Sequence, residues 1–409
     1  MIPYLIIITK KVYKEKGLEQ LVYTILLYIK ECIVFLFAGS ADVLYVSGCL
    51  GAPKLYRCIN QSEELERYGI RSMIISQYNL NLLRLIKKCK IVIFQRVIYN
   101  AYIAKVIEEA KRQEITIIFE TDDLVFDPQY ASYMHYLKFL SEEGKSWQKN
   151  GIGREILEDP YVENCIVSTN YLSQIIKQGY PQKNIFILTN KLSNKQLLWA
   201  RKAISRKNKA QLENGKIRIG YFPGSNSHDM DFETISDVLL KIIKENKNVA
   251  LMIVGPLSIN GKFSEVKTQI ERHPFVSMKK LSELILCADI NIVPLEIDNP
   301  FCQSKSGLKF FEAGVLKIPT VATSTDSFCQ IIDNGENGFL AKNNDDWHNY
   351  LTILIKNKEL RDKIGARAQL TSLEKHTTQE NHPETEEFVH FIKEKLMSPA
   401  CKVHRNLQY

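Results

Sequence analysis

This chain of 409 residues lacks long uninterrupted apolar runs, paired-cysteine motifs and phosphate-loop signatures. Each absence removes a class of protein. Its most apolar stretch, Leu21 to Ala38, is broken by Lys30 and Glu31 into segments too short to span a bilayer. The short apolar run in MIPYLIIITKK has no small-residue cleavage site behind it, so a secretory leader is not expected. Nine cysteines form no Cys-x-x-Cys pair, which argues against a structural zinc site. Their odd, scattered placement reads as free thiols in a reducing cytoplasm. No Gly-x-x-x-x-Gly-Lys-Ser/Thr loop, no Gly-x-Ser-x-Gly elbow and no dinucleotide fingerprint after the first strand is present. P-loop kinases, nucleophile-elbow hydrolases and nicotinamide dehydrogenases drop out. Excess charge is also scarce: 54 Lys and Arg stand against 46 Asp and Glu, a net of +8. Without a dense basic tract interleaved with aromatics, nucleic acid is not an expected partner. A phosphate-rich ligand or an anionic membrane surface is.

What the chain does contain is a repeated alternation. Val43–Val46, Ser72–Ser76, Ile91–Phe94, Ile115–Phe119, Cys165–Val167 and Ile185–Leu188 are short β-rich runs with helical stretches between them. A polar break, Asn194 to Gly215, carries no strand signal, and the domain boundary falls near residues 200–214. The pattern restarts at Ile217–Tyr221 and continues through Val249–Val254, Ile290–Val293 and Thr320–Ala322. Buried apolar runs separated by helices predict parallel sheets with crossovers. The expected fold is therefore α/β, with two tandem Rossmann-like, doubly wound domains facing across a cleft. Residues 1–205 and 206–370 form the two domains, and residues 371–409 a C-terminal helix and tail packing back on the first. Leu21 to Ala38 reads as a buried or subunit-contact helix. The alternative is a helix on the inner membrane face, assisted by Lys10, Lys11, Lys14 and Lys16.

Ligands in such folds bind beyond the carboxyl ends of strands, and four groups of residues fall there. In QSKSGLKFFEAG, Lys305, Lys309 and Glu312 are spaced to share one helical stripe, with Ser304 as an expected N-cap. Gly307 and Leu308 offer backbone N–H groups to an anion. Lysines suit a diphosphate, and a carboxylate suits sugar hydroxyls. An ordinary amphipathic helix with a surface Lys309–Glu312 pair is the competing reading. The second group is Gly224, Ser225 and His228, in the small-residue loop after the first strand of the second domain. The third is Asp122 and Asp123, at the end of ITIIFETDDL, expected to make a cleft contact without metal, against the plain alternative of a helix cap. The fourth is Gly48 and Gly51, after VLYV, on the acceptor side. No metal site, no cofactor and no catalytic base is expected from these residues.

Taken in order, IGYFPGSNSHDMDF, NIVPL, GLKFFEAGVLKIPTVAT and IIDNGENGFL resemble the donor domain of GT-B glycosyltransferases, in particular the retaining family 4. QRVIYN, IIFETDDLVFDP and IVSTNYL resemble a subgroup that builds bacterial surface polysaccharides. The resemblance implies transfer of a sugar from a nucleotide diphosphate sugar, as substrate, to a saccharide or lipid-linked acceptor, with retention. It implies a ribose contact for Glu312 and a diphosphate contact for Gly307. The family's first signature glutamate falls here on Ser304, and the usual Arg and Lys are missing from GSNSHDMDF, so Lys305 or Lys309 stands in. A catalytically silent assembly partner, or a nucleotide-sugar epimerase on the same fold, is the alternative.

Overall fold

The computed structural model describes residues 28–206, 215–225, 228–259 and 261–398, with Val22, Ile25 and Leu26. Lys10, Lys11, Lys14 and Lys16, residues 207–214 of the expected boundary, Asn226 and Ser227 of the loop after Tyr221, and residues 399–409 of the tail lie outside the described residues.

Two six-stranded sheets account for the architecture. In the first, the order is β2-β1-β3-β4-β5-β6, from β1 Val43–Ser47, β2 Ser72–Ser76, β3 Ile91–Gln95, β4 Thr116–Thr121, β5 Asn164–Val167 and β6 Asn184–Ile187. In the second it is β12-β11-β10-β7-β8-β9, from β7 Ile217–Tyr221, β8 Val249–Val254, β9 Ile270–His273, β10 Ile290–Val293, β11 Thr320–Thr323 and β12 Phe339–Ala341. Every pairing is parallel. β1, β3, β8 and β10 are buried along their whole length, which is why their sequences read as unbroken apolar runs. This is the doubly wound α/β pair expected from the sequence.

Three local differences have physical causes. The polar break is a helix, Asn194–Arg206, whose Leu197, Ala200 and Ala203 pack among Phe222, Met252 and Ile285 of the second sheet's core. The break carried no strand signal because its apolar residues recur at helical spacing among charged ones. Phe339–Ala341, outside the runs named above, forms β12, an edge strand of three residues. β9, with sequence IERH, is also an edge strand, and its charged residues hid it.

The chain then returns to the first sheet. Helix Pro383–Met397 lays Phe388, Val389 and Ile392 against Val43, Tyr45 and Phe186. Beneath it the buried Lys191 ammonium bonds Glu64 at 2.9 Å and Thr385 at 2.8 Å. Leu192 pairs with Thr377 in an isolated parallel bridge, so both chain crossings between the lobes lie side by side.

Candidate active site

The loop after β10 builds the C-lobe half of the site. Asn299 caps the short helix Pro300–Gln303, accepting from the Phe301 amide at 2.9 Å. A turn, Ser304 to Gly307, leads into helix Leu308–Gly314. The expected N-cap is corrected here: Ser304 ends the first helix, its hydroxyl donating to Phe301 O at 2.8 Å, and Gly307 takes the cap position. Lys305 consequently lies in the turn rather than on the helix, so only Lys309 and Glu312 share a helical face. A Cβ on Gly307 would come within 1.9 Å of Ile331 Cδ1, so the turn closes against that side chain.

Lys305 reaches across to the loop after β7. Its ammonium bonds Asp231 Oδ2 at 3.0 Å and lies 5.5 Å from the Phe301 ring centroid. Asp231, in helix Asp229–Glu233, also accepts from His228 Nδ1 at 2.8 Å and from Cys302 Sγ at 3.1 Å. Burial opposes charge on Asp231, but Lys305 and His228 hold its carboxyl well below the ordinary range. Burial, then the charges of Lys309 and Lys305, push His228 down to about 3. The neutral ring gives its Nδ1 proton to Asp231, leaving Nε2 an acceptor; donation to a ligand would require a protonated ring. Asp231, Glu296 and Cys302 place ligand atoms within 4.8 Å of one another. Lys305 supplies the positive charge at that carboxylate, and Glu296 pairs with His135 at 3.1 Å.

Lys309 makes no surface pair with Glu312; its ammonium lies 5.4 Å from the Tyr221 ring centroid. Burial and the neighbouring Lys305 charge lower it to about 8. Burial raises Glu312 to about 7. Its Oε1 accepts from Tyr56 Oη at 2.6 Å, and that hydroxyl accepts from Gln196 Nε2 at 2.7 Å. Tyr56 belongs to the first lobe, so the Glu312 carboxylate faces the gap between lobes.

The N-lobe half centres on Arg96, which follows β3 with φ at 46°. Its guanidinium holds Asp122 at 2.5 Å and Asp123 at 3.0 Å. The two aspartates are therefore a clamped pair in the cleft rather than a helix cap. Asp123 is raised by burial against the pull of Arg96, and its Oδ1 lies 3.4 Å from Ser304 Oγ. A carboxylate from the opposite lobe thus approaches the Ser304 hydroxyl. Gly48 sits under this clamp, where a Cβ would meet Arg96 O at 2.0 Å. Gly51, at φ 74°, heads helix Ala52–Lys54 apart from the clamp, and Gly224 and Ser225 are exposed beside His228. Deeper, the fully buried Arg57 bonds Glu120 at 2.5 Å, Leu188 O at 2.6 Å and Asn190 at 3.0 Å. Arg57 lies in a π-helical turn, Leu55–Ile59, a geometry frequent at functional sites.

The lobes meet at this level. Asn190 Nδ2 donates to Ser306 Oγ at 2.8 Å, and Thr169 Oγ1 to Ser304 O at 3.3 Å. Between them opens a small cavity of ≈ 80 Å³ lined from one lobe by Ser168, Thr169 and Asn190 and from the other by Ser306, Gly307 and His376. Gly307 lines this cavity, whereas Glu312 lines another with Leu192, Gln196 and Trp199; Lys305 and His228 meet at Asp231, and Asp123 approaches Ser304 from the N-lobe. Sequence reasoning missed Arg96, Arg57, Tyr56, Asn190 and Asp231. Arg96 stood inside QRVIYN and Asp231 inside HDMDF, but a lone Arg or Asp carries no spacing signal.

Two facing Rossmann-like domains with the ligand-type residues in the gap define the GT-B architecture. Residues 205–371 match the family model of glycosyl transferases group 1. Among solved structures, the chain is similar to Anabaena HepE in complex with UDP-glucose, at 12% identity and TM-score 0.59 over 87% of this chain and 100% of that one. It is similar to a glycosyltransferase from Rickettsia africae, at 16% identity and TM-score 0.59 over 88% and 100%. Sucrose-phosphate synthase from Thermosynechococcus elongatus shares the fold at 10% identity and TM-score 0.58 over 86% and 98%. No curated protein sequence matches the chain. These likenesses show the fold, and the family model covers residues 205–371 of the chain.

Proposed function

We propose that this protein moves a sugar from a nucleotide diphosphate sugar to a saccharide or lipid-linked acceptor, with retention, in the synthesis of a cell-surface polysaccharide. The observation that carries the reading is the convergence of Lys305, Lys309 and Glu312 at the carboxyl ends of strands, facing a second lobe, inside the segment matched to group 1 glycosyl transferases. In this reading Lys305 and Lys309 hold the diphosphate, with the Gly307 and Leu308 amides beside it, while Gly224, Ser225 and His228 border it on the other side. As the glycosidic bond of the donor breaks, negative charge grows on the leaving phosphate. Ammonium groups already fixed in a dry gap stabilise that charge without reorganising. Glu312 accepts from ribose hydroxyls, and Asp122 and Asp123 line the opposite wall. Closure of the lobes keeps water from the donor.

Thermal-shift screening of UDP, GDP, ADP and dTDP, followed by calorimetry, tests this. One nucleotide should stabilise the protein, and Lys305→Ala and Glu312→Ala should each weaken it. Stabilisation by none of them would overturn the reading. Binding without turnover across sugars and acceptors would favour a silent assembly module, and interconversion of the free nucleotide sugar would favour an epimerase.

A further inference from the structure

The interlobe cavity has a lining that the donor reading leaves unused. Its walls carry no Asp, Glu, Lys or Arg. Hydroxyl and amide groups of Thr169, Asn170 and Gln330 are mixed there with the apolar faces of Ile187, Phe311 and Ile331. Two further polar side chains line it with their hydrogen-bonding groups unspent. His376, 7% exposed, has no partner at either ring nitrogen, and Ser327, 6% exposed, has none at its hydroxyl. Buried groups of this kind are costly to leave unpaired, so a ligand that pairs them is favoured. The His376 ring is held in place. It stacks on Phe311 at 4.9 Å and 14°, its amide donates to Ser372 O at 3.1 Å, and its carbonyl accepts from the Leu192 amide at 2.8 Å. Burial lowers the ring to about 4, so it is neutral at pH 7, with one nitrogen a donor and the other an acceptor. The cavity lies behind helix Leu308–Gly314. Gly307 and Phe311, four residues apart, face it, whereas Lys309 and Glu312 turn to Tyr221 and Tyr56.

Chemistry selects the occupant. A phosphate or carboxylate would find no cation among the lining side chains, and a cation would find no carboxylate. A hydrocarbon would leave His376 and Ser327 unpaired. A polyol matches both parts of the lining: its hydroxyls donate and accept, and its C–H faces pack on Ile187, Phe311 and Ile331. At ≈ 80 Å³ the cavity has room for roughly five to eight water-sized groups, the heavy-atom count of glycerol or erythritol. We propose that this cavity is a second ligand site, separate from Lys305 and Lys309, that takes a small neutral polyol through His376 and Ser327. Its occupant touches both lobes, so it binds the closed arrangement and holds it. On the donor reading it then tightens nucleotide binding, and the nucleotide must tighten polyol binding by the same factor.

The test is titration of the full chain with glycerol and with erythritol, followed by saturation-transfer NMR, with mannitol as the oversized control. Binding is read directly because polyols at high concentration stabilise folded proteins by exclusion from their surfaces. Glycerol or erythritol should show saturable transfer, and mannitol none. His376→Phe keeps the stack on Phe311 but removes both nitrogens, and should weaken binding roughly 5- to 100-fold, the worth of two hydrogen bonds. Ser327→Ala should weaken it roughly 2- to 10-fold, the worth of one. Neither variant should melt lower than the parent without polyol, because each removes a buried unpaired group. The absence of saturable transfer means that water alone fills the cavity, and overturns the proposal. So does equal transfer to mannitol, or an unchanged affinity in both variants. A nucleotide that binds without shifting the polyol affinity overturns the coupling of the two sites. Failure of every nucleotide to bind, with polyol binding intact, overturns the donor reading instead.

Discussion

Lys305 and Lys309 do different work although both are cations near the same gap. Lys305 is paired with a buried carboxylate, so removing it also strands Asp231. Lys305→Ala should therefore cost both diphosphate affinity and stability. The double variant Lys305→Ala/Asp231→Asn should restore much of the melting temperature but not the affinity. A loss of about 1.5–3 kcal/mol, the range for a hydrogen bond to a charged group, is expected in calorimetry with the cognate nucleotide. Full recovery of affinity in the double variant would show that Lys305 serves only the fold. Lys309, lowered to about 8 by burial, sets a pH limit: diphosphate affinity should decline as pH rises through about 8. Lys309→Arg, which keeps its charge, should remove that limb from a calorimetric pH series. Glu312 gives a stability signature of the opposite kind. Its folded value of about 7 exceeds the unfolded carboxyl value near 4.5. Between those values the folded state binds more protons than the unfolded, so stability falls as pH rises across that window. Glu312→Gln should remove that contribution. The melting-temperature difference, variant minus parent, should grow from pH 4.5 to 7 and then level off; a flat difference would mean that the carboxylate ionises normally.

The short elements hold these groups in place, and two glycines separate tolerance from strain. At Gly307 the obstacle to a Cβ is the end of the flexible Ile331 side chain, whereas at Gly48 it is the Arg96 carbonyl, backbone that cannot swing aside. Gly48→Ala should cost about 1–3 kcal/mol in denaturant unfolding, and Gly307→Ala less; the reverse order would show that the Arg96 turn yields. These elements also mark where sequence reasoning stopped. Buried parallel strands such as VLYV, IVIF and VALMIV announce themselves through unbroken apolar runs. Edge strands IERH and FLA do not, because one side of each faces solvent. Lys309 and Glu312 were legible because one helix fixes their spacing. The clamp of Arg96 on Asp122 and Asp123 was not, because neighbouring strands supply its halves. Tyr56 and Glu312 stand 256 residues apart, and only the closure of two domains brings them to 2.6 Å.

Closure of the whole molecule rests on two kinds of contact. Buried ones join Asn190 to Ser306 and Thr169 to Ser304 O. Others lie at the margin, where His135 meets Glu296 at 3.1 Å and Asn170 donates to Gln330 at 2.9 Å. The buried set touches the turn that bears Lys305, so its removal would perturb the site directly. The marginal set touches neither Lys305 nor Lys309 and isolates closure itself. Each such exposed bond contributes about 0.5–1.5 kcal/mol net. His135→Ala/Asn170→Ala should thus shift the open–closed balance by roughly 5- to 100-fold toward open. The radius of gyration from solution scattering should rise without nucleotide and return at saturating nucleotide. The donor KM should rise, because part of the binding free energy now closes the lobes. A larger KM with an unchanged scattering profile would place the effect in the site and not in the hinge. If neither quantity moved, the buried contacts alone would hold the lobes together, and Tyr56 would remain on Glu312 whether or not the margin is tied.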